Sequence, residues 1–177
     1  MARRNARPLC LQAEKKEVQF INTKAITEFA SQFGTQIALN LDLIVEKTGR
    51  FYLVNPAVKP LVRKDFFSAG VYLGKVKEGK FFPSFYLLGM LAKREGNRIF
   101  LDRKSAWLFI CGRDILRESI VRIQGPGKKN TNTLVFNEFG ECLGFGRIVE
   151  RLRESLMCNE IVVRNVLDIG DFLRRER

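Results

Sequence analysis

A chain of 177 residues with 46% apolar content can bury a real core, as one ordinary domain or two small ones, and is not a disordered polymer. Its 31 Lys+Arg against 19 Asp+Glu leave a formal charge of +12 and a sequence pI near 9.9, outside the range of an ordinary metabolic enzyme, so an anionic polymer or surface is the first partner to consider. Histidine is absent, which excludes a Ser-His-Asp triad and any mixed Cys/His zinc site.

Cys10, Cys111, Cys142 and Cys158 are widely spaced with no CxxC pair. Neither a metal nor a cofactor is expected, and buried thiols in a reducing compartment fit better than a disulfide framework. The amino-terminal segment carries Arg3, Arg4 and Arg7 without the apolar core of a signal peptide, and no apolar run approaches the ~20 residues that cross a bilayer. A soluble, intracellular protein without membrane contact is expected, with those arginines as a frayed arm or a nucleic-acid contact. Residues 1–96 hold 16 basic against 8 acidic side chains and residues 97–177 hold 15 against 11, so the second part must work through the position of its charges.

Asn22 or Thr23 suits the N-cap of a helix reaching Phe33, because Ala25, Ile26, Phe29, Ala30 and Phe33 recur every three or four residues and Gly34 closes the end. Alternation over 39–45 predicts a strand, and Lys47-Thr48-Gly49 followed by 50–54 predicts a hairpin with Gly49 at positive φ. A glycine-interrupted strand is expected over 68–76. Pro83 is expected to open a mostly buried helix through Phe85, Leu88, Leu91 and Ala92. The aromatic run 81–88 is too short to span a membrane and lacks a basic face, so it reads as core.

The charged, glycine-containing run 93–97 is the best boundary. It separates an N-terminal α/β unit over 1–95, an antiparallel sheet with flanking helices, from a mainly β unit over 96–177. In the second unit a strand is expected at 98–101, a short helix at 105–111 stopped by Gly112, and strands at 119–123, 133–136, 142–149 and 160–166, with a loop at 125–130 and a hairpin turn at 137–140. Several short strands with one or two small helices suggest a closed or nearly closed barrel, and an α+β chain as a whole.

Two segments carry a resemblance: Leu143-Gly144-Phe145-Gly146, and Asp168-Ile169-Gly170-Asp171-Phe172-Leu173-Arg174. With Gly112 after an apolar helix, they resemble the PUA domain, a small RNA-binding β pseudobarrel. With the strand 70–76 and Lys80-Phe81 added, residues from about 20 to 177 resemble the Nip-seven family of ribosome-biogenesis factors, which join an α/β pre-PUA domain to a C-terminal PUA domain. Glu118-Ser119 stands where PUA domains usually have a Pro-Gly or Ser-Gly turn, and the segment between Arg147 and Glu160 is slightly shorter than in eukaryotic members, which is closer to archaeal ones. The resemblance implies RNA on the C-terminal domain and pre-ribosomal or RNA-processing proteins on the N-terminal one. It also implies a cytoplasmic location for an archaeal-like member, nuclear or nucleolar for a eukaryotic one, and leaves the oligomeric state open.

If 143–153 stays extended, Phe145, Arg147, Val149, Arg151 and Arg153 share one face, and the arginines form a ladder that can fork to phosphates and stack on unpaired bases. If the strand stops near Val149 and a helix follows, Glu150 and Glu154 neutralise those arginines on a solvated face. Lys128 and Lys129 sit in a Gly/Pro-flanked loop whose backbone N–H groups could join them on a phosphate, or which is simply a loop tip. Arg113, Arg117 and Arg122 surround the exit of the first helix of the second unit, which in the PUA family lines part of the RNA groove; Asp114 and Glu118 could mute them. Lys75, Lys77 and Lys80 make a basic hairpin and Arg63-Lys64 a second cluster, as solvated surface or as a further contact. Asp168 and Asp171 are structural in the family pattern.

No Gly-x-Ser-x-Gly elbow or phosphate-binding P-loop is present, and residues 1–95 are too few for the catalytic domain of an RNA methyltransferase or pseudouridine synthase. The expectation is a non-enzymatic adaptor in large-subunit biogenesis and pre-rRNA processing that binds single-stranded or structured rRNA. The alternatives are a protein-interaction scaffold working through the Phe-rich first unit, and an accessory subunit presenting RNA to a modifying enzyme.

Overall fold

The computed structural model describes residues 23–62, 66–152 and 159–175. Arg3, Arg4, Arg7, Cys10, Asn22, Arg63, Lys64, Arg153, Glu154 and Cys158 lie outside the described residues.

Helix α1 (Lys24–Ser31) buries Ile26, Phe29 and Ala30, with Phe33 behind them and Gly34 at φ +70° ending the turn as expected. The strand expected over 39–45 forms only in its last part. Asn40 Oδ1 accepts the Asp42 N–H at 3.1 Å and winds Leu41–Leu43 into a 3-10 turn, so β1 spans Ile44–Lys47. A short amide side chain competing with the ladder overrides the apolar alternation.

Strands β1, β2 (Arg50–Leu53), β3 (Val71–Lys77) and β4 (Lys80–Pro83) form an antiparallel sheet in chain order. Its two tight turns place Thr48 and Gly49 at φ 48° and 73°, and Glu78 and Gly79 at 51° and 73°, the two-residue geometry that matches strand twist. Pro83 ends β4 and does not open the helix that follows. The Ser84 hydroxyl accepts the Leu87 N–H at 3.2 Å and caps α2 (Phe85–Leu91), because a side-chain acceptor satisfies an orphan helix donor that proline cannot. Leu87, Leu88 and Leu91 are buried while Tyr86 is 52% exposed, so α2 is covered on one face and not all round.

The second sheet holds β5 (Arg98–Leu101), β6 (Ile115–Leu116), β7 (Ile120–Gln124), β8 (Asn132–Phe136), β9 (Cys142–Ile148) and β10 (Ile161–Asp168), in the order β6-β10-β9-β8-β5-β7. It curls into a half-barrel, and its β5–β8 pair is parallel. Between β5 and β6, helix α3 (Arg103–Ile110) starts earlier than expected because Asp102 accepts the Ser105 N–H at 2.9 Å. Register breaks against β8 and β10 bend β9. Gly144 makes this possible: its φ is +147°, and a Cβ there would lie 2.0 Å from Leu167 O.

Alternate residues of the second sheet feed two cores. Phe100, Leu134, Phe136 and Phe145 pack with Phe29, Phe33, Leu73 and Leu88 of the preceding part of the chain. Ile99, Leu101, Val135 and Ile148 face the other way, onto Ala106 and Phe109 of α3. Phe145 meets Phe29 and Phe33 edge to face, each with ring centroids 5.5 Å apart. Asn97, inside the run 93–97, is 2% exposed. Its amide donates to Thr131 Oγ1 and Asn132 O at 3.1 Å, its Oδ1 accepts the Gly127 N–H at 3.2 Å, and its own N–H donates to Phe33 O at 2.8 Å.

Candidate nucleic-acid interface

Arg147 lies near the end of β9 with its side chain exposed, and the ladder places it directly opposite Arg164 of β10, which is also exposed. On the other side Arg147 is opposite Asn132 of β8. Among the described residues neither arginine has a carboxylate partner. Like charges at opposed ladder positions repel, with Cβ atoms about 5 Å apart, so this pair is a locus of uncompensated positive charge. Arg164 went unnoticed in the sequence because twelve residues separate β9 from β10, and counting along a tight hairpin could not place it opposite Arg147.

The extended arginine ladder does not form. β9 stops at Ile148, Val149 and Glu150 both donate backbone N–H groups to Val162 O at 2.9 and 3.5 Å, and Leu152 is buried with its N–H on Gly127 O. Leu152 joins Ile148 in the same buried cluster. Arg151 remains exposed and Arg153 is among the residues not described.

The loop between β7 and β8 holds Lys128 and Lys129 in different circumstances. Lys129 Nζ is paired with Glu150 at 2.5 Å, while Lys128 is exposed with no carboxylate partner among the described residues. Glu150 thus compensates a lysine. The loop does not offer all its backbone donors to a phosphate, because Gly127 N–H is held by Asn97 and Asn130 N–H by Ile148 O.

At the exit of α3, Arg113 is exposed and Arg117 half-buried. Asp114 does not mute them through an ion pair. Its Oδ1 accepts the Asn165 N–H at 2.9 Å, tying the exit to β10. Arg122 lies over the Phe100 ring with Cζ 3.6 Å from the centroid. Phe100 stacks on Phe136 at 5.1 Å and 22°, and Arg98 lies over Phe136 at 5.8 Å. The column of guanidinium, two rings and guanidinium makes Arg122 part of the sheet's packing, and it stands apart from Arg147.

Asp168 is 1% exposed, and its Oδ2 accepts Arg174 Nη2 at 2.7 Å and Asn165 Nδ2 at 3.0 Å. Arg174, on α4 (Gly170–Arg175), also donates Nη1 to Ile110 O at 2.5 Å. The hydrogen bond to Asp168 pushes the Arg174 guanidinium pKa further up. Gly170 lets α4 approach, because a Cβ there would lie 2.2 Å from Ile110 O. The aspartate is a clasp between β10, α3 and α4.

The half-barrel with its closing turn corresponds to a known domain, since residues 97–177 match the model of the UPF0113 PUA domain family. This part of the chain has a PUA-type fold. The chain is 34% identical over 113 residues to a UPF0113 protein of Archaeoglobus fulgidus, a match that covers 62% of this chain and 63% of that relative. A conserved PUA domain protein from Thermoplasma acidophilum superposes with a TM-score of 0.56 at 17% identity, over 87% of this chain and 93% of that one. A PUA domain structure from Aeropyrum pernix gives 0.56 at 15% identity over 86% of each chain. These likenesses extend the shared fold upstream of the PUA domain into the four-stranded sheet.

Proposed function

We propose that the chain is a non-enzymatic RNA-binding adaptor that holds single-stranded or distorted RNA on its PUA domain and serves assembly of the large ribosomal subunit. One observation carries this reading: exposed Arg113, Lys128 and Arg147 of the PUA domain have no carboxylate partner among the described residues, in a chain of formal charge +12. Guanidinium groups fork to phosphate oxygens and stack on bases, and PUA domains are RNA-binding modules. The ribosomal role rests on the resemblance of the whole chain to the Nip-seven family. The test is binding of a fluorescent uridine-rich oligomer across salt. Neutralising about five phosphates gives a log-log slope near −3.5, at about −0.7 per contact on a single strand. Changing Arg147 and Arg151 to glutamate should weaken binding and flatten that slope. An unchanged slope in the double variant sinks the reading.

A second reading follows from the N-terminal unit, where Leu61 is 75% and Phe67 91% exposed between β2 and β3, with Phe82 of β4 and Tyr86 of α2 also open to solvent. Large apolar side chains clustered on one unit suit a protein partner of the pre-ribosome. Binding to a protein partner would show little salt dependence, which separates it from the RNA reading.

A further inference from the structure

A groove of about 390 Å³ runs between α1, the β3–β4 turn and strands β8, β9 and β10 of the PUA sheet. Lys80 lines it from one side and Arg147 from the other, over a wall that includes Phe81, Phe145 and Val166. Its base is fixed, because Asn132 Nδ2 donates to Gln32 Oε1 at 2.8 Å and Asn132 N–H to Gln32 O at 2.9 Å. Lys80 and Arg147 line the groove and Arg164 stands opposite Arg147 on the neighbouring strand; all three are exposed and none has a carboxylate partner among the described residues. Glu28 also lines the groove, but its carboxylate faces Lys24 Nζ at 3.7 Å. Lys77, directly opposite Lys80 across the hairpin turn, is paired with Glu78 at 3.6 Å.

Two opposed arginines on neighbouring strands cost stability unless an anion lies between them. Val166, two positions beyond Arg164 on β10, is 51% exposed and lines the groove, which gives an apolar surface beside the positive charge. A phosphate beside a flat, partly apolar base is the ligand with both properties. A paired base has its edge occupied and its faces stacked, so the groove suits one unpaired nucleotide.

We propose that this groove holds one nucleotide of a single RNA strand, with its phosphate shared by Arg147, Arg164 and Lys80 and its base against Phe81 and Val166. The inference rests on the RNA-binding reading and adds to it that the first sheet contributes a direct contact through its hairpin tip. The RNA footprint is therefore composite, crossing from the PUA domain to the N-terminal unit.

The test uses the full chain and a uridine-rich oligomer. Lys80→Ala and Arg164→Ala should each weaken binding about ten-fold, the loss of one charge-assisted contact, and each should reduce the magnitude of the salt slope by about 0.7. Far-UV spectra of both exposed-site variants check that the fold is kept. Independently, an oligomer containing 4-thiouridine should crosslink to the peptides holding Phe81 or Val166. Parent protein that binds RNA, with both variants unchanged and crosslinks confined to other peptides, overturns the groove and leaves the PUA reading standing. Failure of the parent chain to bind RNA at all overturns both.

Discussion

Phe145→Ala tests whether the two sheets fold as one body. Phe145 is 4% exposed and belongs to β9 of the PUA sheet, yet its ring packs edge to face on Phe29 and Phe33 of the α1 region at 5.5 Å. Truncating a buried phenylalanine costs about 3–5 kcal/mol, and each edge-to-face pair contributes about 0.5–1.5 kcal/mol beyond area burial. With two such pairs lost at a site bounded by sheet on one side and helix on the other, about 4 kcal/mol is expected. That is nearly a thousand-fold in the folding equilibrium, and a large part of the ~5–15 kcal/mol that stabilises a typical chain. The assay is a urea melt followed by far-UV circular dichroism and by fluorescence of Trp107, the single tryptophan. Because Trp107 is on α3 and remote from this core, a shared core requires both signals to shift together to lower urea. A loss below about 1 kcal/mol, or a Trp107 transition that stays in place while the dichroism moves, refutes the reasoning.

Gly144→Ala places a Cβ 2.0 Å from Leu167 O at a φ of +147°, and should cost about 3 kcal/mol or more in a urea melt, with near-parent stability counting against the close approach of β10. Asp102→Ala should cost about 1 kcal/mol at neutral pH through loss of the α3 cap. The Ser105 N–H holds the Asp102 carboxyl below its ordinary value, so its stabilisation is present above about pH 4 and is lost as pH falls through the lowered folded value. Melts at pH 7 and in acid should therefore show the gap to the parent narrowing, and a constant gap contradicts the assignment. Arg174→Ala should lower the thermal midpoint, and Arg174→Lys should restore it only in part, because one ammonium cannot match the forked bonds to Ile110 O and Asp168 Oδ2. Full restoration by lysine would remove the clasp argument.

Turn and periodicity signals were the legible part of the fold. The α1 periodicity, the Thr48-Gly49 turn, the glycines of β9 and the turn after Phe136 are local features, and the structure has each where the residues point. What stayed hidden depends on partners far along the chain. The parallel β5–β8 pairing and two-residue β6 leave no periodic trace. Small polar groups decided the other differences: Asn40 cut short the expected first strand, and Ser84 and Asp102 set where α2 and α3 begin. In the candidate interface, alternation put Arg147 on one face with Phe145, which is buried, so the exposure of Arg147 reflects its place near the end of β9. Its juxtaposition with Arg164 came only with the register, and Lys80 entered only because α1 and the hairpin dock beside β9.

The main-chain bonds from Asn97 to Phe33 and from Asn132 to Gln32 stitch the end of α1 to the PUA sheet at 2.8 and 2.9 Å. These bonds hold the α1 wall of the groove against the sheet before any ligand arrives. The conformational entropy of fitting then falls on the nucleic acid: a flexible strand is captured by a preformed mould, while a stiff stem must first come apart. Discrimination between folded and unfolded RNA would thus arise from the ligand's own mechanics, without a moving part in the protein.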